Sequence, residues 1–195
     1  MEKNNTKGAI FQAALDLFRK NGFENVSVQM ICNAAGTTRN AFYYYYDSKE
    51  DLLSSYLDYL SPSDSGMMEG ILKQPDDWSK LLYIYEFHAR LFIQEGADFA
   101  RQLIVACIQS KKNMVGQYAL SSSLCIPLIQ QCQASGWIRS PLSAERLDHF
   151  VSRIFYAAII EWSLSDDTSF DVITHILGLI TDLLRPELSV TSEGE

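Results

Sequence analysis

Apolar residues recur at helical spacing along almost the whole chain, and nowhere do they alternate as a half-buried strand would. Over 6–20, Ile10, Ala13, Ala14, Leu17 and Phe18 follow the i, i+3, i+4, i+7, i+8 pattern of one buried face. Asn21-Gly22 ends that helix, with Gly22 suited to the left-handed cap position. Ser27 can cap a second short helix whose inner face is Val28, Ile31 and Cys32; Gly36 breaks it. Thr38 can cap a third helix running through Tyr44. Ser48-Lys49-Glu50-Asp51 is a capping-box-like start, with Asp in place of the usual Glu, for a fourth helix through about Leu60. After the breaker stretch SPSDSG (61–66), helical patterns resume over 67–73, 77–94, 97–110, 118–134, 143–164 and 169–184. Pro75, Gly96, Gly136, Pro141 and Pro186 punctuate them. Pro127 is expected to kink the 118–134 helix or to mark its first turn. The predicted fold class is all-α, three short helices followed by a larger bundle.

A chain of 195 residues has room for one domain or two small ones, and 47% apolar with 12% aromatic content excludes a disordered chain. No apolar run approaches the ~18 residues of a membrane span, and the start MEKNN is no signal peptide, so a cytoplasmic protein with no membrane partner is expected. Cys32, Cys107, Cys125 and Cys132 form no C-x-x-C pair and have no histidine at ligand spacing, which speaks against a metal site. On a helix, Cys125 and Cys132 would lie about 10 Å apart in rise, beyond disulfide reach. Buried, unbridged thiols are the expectation. The three histidines fall in different predicted helices, and there is no G-x-S-x-G, phosphate loop or H-E-x-x-H. Neither enzyme activity nor a cofactor is expected.

A net charge of −8 argues against nucleic acid only until its distribution is followed. The first 55 residues hold six basic and six acidic side chains, so the whole excess sits in 56–195. An anionic partner could approach the first segment alone.

In that segment the two short helices 27–35 and 38–44, joined through Gly36, form a helix-turn-helix candidate. The second helix of that motif enters the major groove of DNA. The surrounding stretch KGAIFQAALDLFRKNGFENVSVQMICNAAGTTRNAFYYYYDSKEDLL (7–53) closely resembles the DNA-binding domain of the tetracycline-repressor (TetR) family of bacterial transcription regulators. The offsets of Ile10, Phe18, Gly22, Ile31, Gly36, Phe42, Tyr43, Lys49 and Leu52 fit without a gap. The likeness covers about the first quarter of the chain. There are departures: Cys32 stands where the family usually has alanine, Thr37-Thr38 where it often has Val-Ser, Asn40 where Gly or Pro is common, and Tyr46 where Phe is usual. Arg39 and Asn40 lie near the groove, so these differences bear on which operator is bound.

The chemistry of single residues agrees. Arg39 can form a bidentate contact with guanine O6 and N7, and Asn40 could pair with adenine N6 and N7. Ser27 and Thr38 cap helices whose N-termini offer amides to phosphates. Lys49, in a first helical turn, is badly placed for the helix dipole, and a phosphate bound nearby would explain it. Gln29 could reach a base edge or stay solvated. The resemblance implies that Tyr43 and Tyr44 face phosphates while Phe42 and Tyr46 pack inward.

The larger region is less specific. Tyr56, Tyr59, Met67, Met68, Trp78, Tyr83, Tyr85, Phe87, His88, Phe92, Phe99 and Trp137 are candidates for its interior. The resemblance implies a small-molecule pocket between its helices, for which Tyr56, Tyr59, Trp78, Tyr85, His88 and Phe92 are the candidate lining. The alternative for each is ordinary core. A lipophilic or aromatic effector is expected there, and the acidic balance favours a neutral or cationic one. Apolar stripes on 143–164 and 169–184 include Phe150, Ile154, Ala158, Ile173, Leu177, Ile180 and Leu184. The resemblance implies that they form a homodimer interface, although packing within one subunit explains part of each stripe.

The expected organisation is a DNA-binding domain over 1–50, a ligand-binding and dimerisation domain over 51–187, and a polar tail over 188–195. The expected function is a ligand-responsive transcriptional regulator, a repressor gripping a double-stranded, inverted-repeat operator as a dimer. The alternative is a helical ligand-binding or scaffold protein that has lost DNA binding.

Overall fold

A computed structural model describes residues 2–56, 65–111, 121–165, 167 and 169–185. Tyr59, the 57–60 end of the expected fourth helix and the 188–195 tail lie outside them. Every regular element among the described residues is an α-helix: α1 Glu2–Asn21, α2 Val28–Ala34, α3 Arg39–Tyr45, α4 Lys49–Ser54, α5 Ser65–Leu72, α6 Asp77–Glu95, α7 Ala97–Gln109, α8 Ser122–Ala134, α9 Ala144–Leu164 and α10 Val172–Leu184.

The chain divides into two compact units, and the division does not follow the expected boundary at residue 50. The first unit holds residues 1–60, 91–118 and 160–166; the second holds 61–90, 119–159 and 167–195. The reason on the first side is that α4 packs along α7, which draws 97–109 to the N-terminal helices.

In the first unit, α1 buries Ile10, Ala14 and Phe18 as the spacing predicts. Phe11 and Leu15 are buried as well, while Ala13 and Leu17 are half-buried, so the inner face is wider than one stripe. Gly22 takes φ +78°, and its N–H donates to the Phe18 carbonyl at 2.9 Å, closing α1 with a left-handed cap.

In the second unit, the interior is lined by Met67, Leu81, Ile84, Tyr85, Ile129, Leu147, Val151, Phe155 and Ile176. Met68 and Trp137, expected inside, are each 40% exposed. Trp137 stacks on Trp78, ring centroids 6.4 Å apart and 9° from parallel, with the Arg185 guanidinium 4.7 Å and 5.2 Å from the two rings. Pro127 lies in the second turn of α8 rather than its first, on an exposed position where its missing N–H costs least.

The stripes of the last two helices divide. Ala158, Ile180 and Leu184, expected at an interface, are 1% exposed or less and belong to the chain's own core. A helical stripe marks a buried face without saying what buries it. Phe150 is 39% exposed, and Ile154, Ile173 and Leu177 are half-buried. Ile160, Leu164, Gly178 and Leu179 are exposed on the same two helices.

Candidate nucleic-acid interface

The local sequence between Ser27 and Asp51 sets three helix starts by the same device. The Ser27 hydroxyl accepts from the Met30 N–H at 3.3 Å, Thr38 from Ala41 at 3.2 Å and Ser48 from Asp51 at 3.1 Å. The Asp51 carboxylate reaches back to the Asp47 N–H at 3.1 Å, one residue before the Ser48 cap, so the aspartate makes a variant of the usual box. Between α2 and α3, Gly36 takes φ +62°. Its N–H donates to Asn33 O at 3.3 Å and the Thr37 N–H to Cys32 O at 2.9 Å, the paired bonds of a Schellman turn. Ile31, Cys32 and Phe42 are fully buried beneath the two helices, and Tyr46 is buried with them. The tight turn and the small Cys32 side chain let α3 lie across α2.

This arrangement leaves one set of polar side chains outside. Gln29, Thr38, Arg39 and Asn40 are exposed, as are Tyr43 at 47% and Tyr44 at 68%. Phe42 and Tyr46 point inward, as expected. Arg39 lies over the Tyr43 ring, its guanidinium carbon 5.9 Å from the centroid and Nη2 3.5 Å from the hydroxyl. That stack holds the planar donor fork at the start of α3. Gln29 donates to the Asn33 side chain at 2.9 Å, one turn along the exposed face of α2.

Lys49 corrects an expectation. Its ammonium donates to the Phe23 carbonyl at 3.0 Å and the Val26 carbonyl at 3.3 Å, and it sits 4.3 Å from the Phe23 ring centroid. In the loop between α1 and α2 the Phe23 carbonyl also accepts the Val26 N–H at 3.2 Å, and the lysine at the start of α4 adds a charged donor to it and to the Val26 carbonyl. Its awkward place on the helix dipole therefore needs no bound phosphate; the side chain ties α4 to that loop.

Sequence reasoning missed a second tie. Arg19, in the last turn of α1, grips the Glu95 carboxylate with two donors, Nε at 2.6 Å and Nη2. Glu95 also accepts the Tyr56 hydroxyl at 3.2 Å, and Tyr56 packs edge-on against Phe99 with centroids 4.9 Å apart. Desolvation pushes the Tyr56 hydroxyl well above its ordinary value, and the Glu95 charge adds to this. A pairing 76 positions apart leaves no local signal.

Five of the six candidate effector residues are among the described residues. Tyr56 and Phe92 belong to the first unit; Trp78, Tyr85 and His88 belong to the second, all five buried. Tyr59 lies outside the described residues. An open groove of about 730 Å³ between the end of α1 and the start of α7 is lined by Phe18, Arg19, Phe23, Glu95 and Phe99, and by none of the six. His88 is 1% exposed, and its Nε2 lies 3.0 Å from the Ser121 hydroxyl. Burial lowers its pKa to about 4, so the ring is neutral at pH 7. Among the described residues no group of His, Cys, Asp and Glu could hold a metal ion, and no helix is long and apolar enough to cross a membrane.

Comparison with known proteins bears on the same region. Residues 10–56 match the family model for bacterial regulatory proteins, tetR family. The chain is 29% identical over 119 residues to the HTH-type transcriptional regulator AcrR of Shigella flexneri, a match covering 61% of this chain and 55% of AcrR. It is 44% identical over 50 residues to the HTH-type regulator YuxN of Bacillus subtilis, covering 26% and 17% of the two chains. The chain thus spans about half the length of AcrR and less of YuxN. Among solved structures, Thermus thermophilus FadR, a repressor crystallised with lauroyl-CoA, superposes with a TM-score of 0.69 at 19% identity over 97% of this chain and 98% of that one. The shared fold is an N-terminal helix-turn-helix domain joined to a helical C-terminal domain.

Proposed function

We propose that the chain, whose residues 10–56 match the model for bacterial regulatory proteins of the tetR family, is a ligand-responsive transcription regulator of that family, a homodimeric cytoplasmic repressor that binds an inverted-repeat operator. The observation that carries this reading is the start of α3. A capped, seven-residue helix presents Arg39, Asn40, Tyr43 and Tyr44 together on an exposed face, with Arg39 pre-ordered on Tyr43. Arg39 reads guanine and Asn40 adenine; Thr38, Ser27, Tyr43 and Tyr44 meet the backbone, and Gln29 lies beside them on α2. The dimer forms through α9 and α10, whose exposed Phe150, Ile160, Leu164 and Leu179 are apolar surface that a second copy would cover. The effector binds in the helical region beyond α4.

Selection from a randomised duplex library tests the reading. The expected product is an inverted repeat whose half-sites lie about one helical turn, ~34 Å, or slightly more apart. Absence of any enriched sequence, together with no salt-dependent retention on heparin, overturns it in favour of a helical protein without DNA binding.

A further inference from the structure

The second unit buries a group of polar side chains whose hydrogen bonding the described residues leave incomplete. Tyr85 and His88 lie one turn apart on α6; Asp148 and Ser152 lie one turn apart on α9. All four are at most 4% exposed. The start of α8 joins them: Ser121 meets His88 Nε2, and the Ser122 hydroxyl donates to Asp148 Oδ2. Tyr85 is electrostatically coupled to both Asp148 and the Cys125 thiol. Yet among the described residues Tyr85 Oη, His88 Nδ1, Asp148 Oδ1 and Ser152 Oγ have no hydrogen-bonding nitrogen or oxygen partner. The thiol beside Tyr85 is only a weak substitute. Buried polar atoms are rarely left unmade, and here four of them lie on two helices, α6 and α9, with the start of α8 beside them.

The donors and acceptors specify what would complete them. A carboxylate oxygen only accepts, the two hydroxyls can turn either way, and the imidazole Nδ1 accepts when Nε2–H donates to Ser121. No ion pair reaches Asp148 from the described residues, and the neighbouring His149 is exposed. What is missing is a compact group with several N–H donors and a positive charge. The same three helices carry aliphatic and aromatic side chains that are fully buried, among them Ile84, Ile129, Leu147, Val151 and Phe155.

We propose that this polar cluster is the polar end of the effector site and takes a protonated amine carried on an apolar body, the ammonium seated between Asp148, Tyr85, His88 and Ser152. The inference rests on the regulator reading above, and it deepens that reading by fixing the class of effector. An ammonium offers three donors to these atoms and supplies the charge that Asp148 lacks.

The test uses the full chain and three matched probes: 4-phenylbutylamine, 4-phenylbutanol and 4-phenylbutyrate. Titration calorimetry and thermal shift are expected to rank the amine at least about tenfold above the alcohol and the acid. Asp148→Asn is expected to abolish that ranking while leaving the weak binding of the alcohol. Circular dichroism checks its fold, and if that variant does not fold, Ser152→Ala is expected to lower amine affinity selectively. Equal binding of the three probes, binding of none, or an amine preference that survives in the folded variants overturns the proposal and leaves a water-filled polar layer. Duplex selection on the same preparation separates the two readings. Lost DNA binding with retained amine preference removes the regulator, whereas retained DNA binding without amine preference removes only this site.

Discussion

Arg19 and Glu95 stand at the ends of two helices and are joined by a two-point ion pair in which the partners are unequally buried: the arginine side chain is 41% exposed, the glutamate 4%. The asymmetry decides which partner matters more. Removing Glu95 returns a guanidinium to water, whereas removing Arg19 leaves a buried carboxylate with only the Tyr56 hydroxyl. Arg19→Ala is expected to cost about 2 kcal/mol and Glu95→Ala about 1 kcal/mol. Urea denaturation of both variants checks the order, and equal costs would show that the pair is effectively solvated.

Arg39 and Lys49 are expected to separate cleanly. Arg39→Ala should cost about 1–3 kcal/mol on the selected operator and flatten discrimination at one base position per half-site. Lys49→Ala should lower folding stability by about 1–2 kcal/mol, through the loss of its charged hydrogen bonds to the Phe23 and Val26 carbonyls, and leave the salt slope of DNA binding unchanged. A slope reduced by about one in Lys49→Ala would restore a phosphate contact to that residue.

Acid should weaken the second unit through His88. Its folded pKa of about 4 lies below the ordinary histidine value, so between about 6.5 and 4 the unfolded chain binds more protons and stability falls as pH falls. The loss reaches about 3 kcal/mol at most once pH is below 4. Asp148 acts in the opposite sense. Burial raises its pKa, outweighing the Ser122 hydrogen bond and the nearby His149, so stability is gained as the pH falls through the raised value and it blunts the acid end of the profile. Tyr85 on α6 and Cys125 on α8 are held protonated by burial and stay silent in this range. Denaturant titrations from pH 7.5 to 4 should show the slope in the native chain and a flatter profile in His88→Gln.

Dimerisation is expected to depend on the apolar residues the subunit leaves outside. Phe150→Glu should shift the protein from dimer to monomer in light scattering at micromolar concentration and abolish tight operator binding. Its folding stability as a monomer should stay within about 0.5 kcal/mol, because the side chain is exposed in the single chain. A wild-type protein that scatters as a monomer at that concentration ends the dimer reading.

What the sequence made legible was local. Ser27, Thr38 and Ser48 announce helix starts because a cap acts on a backbone N–H three residues away, and Gly22 and Gly36 announce ends because a left-handed residue closes its own turn. The inward Phe42 and Tyr46 follow from helical geometry once α3 is placed. The ties of Lys49 are hidden because the carbonyls that accept from it lie 23 and 26 residues away, and nothing near it in sequence advertises them. The Arg19–Glu95 tie is hidden for the same reason. Ala158, Ile180 and Leu184 mark a different limit: an apolar stripe records that a face is buried, and only the packed chain shows whether its own core or a second copy does the burying. Asp148 and Ser152 escaped notice because they interrupt the stripe of α9 with polar residues, which sequence patterning reads as solvent-facing.

All four cysteines are unbridged and buried, two in each compact unit: Cys32 and Cys107 in the first, Cys125 and Cys132 in the second. Burial pushes the Cys132 thiol up to about 11 and the Cys125 thiol up to about 12, so neither offers thiolate to an electrophile in the folded state. Alkylation by a thiol reagent therefore proceeds only through opening of the chain. The mass added after a timed pulse is a clock: two adducts mark a molecule in which one unit has opened alone, and four mark one in which both have. A protein with this distribution of sulfur is inert to mild oxidants while folded, and it carries its own record of which half gives way first.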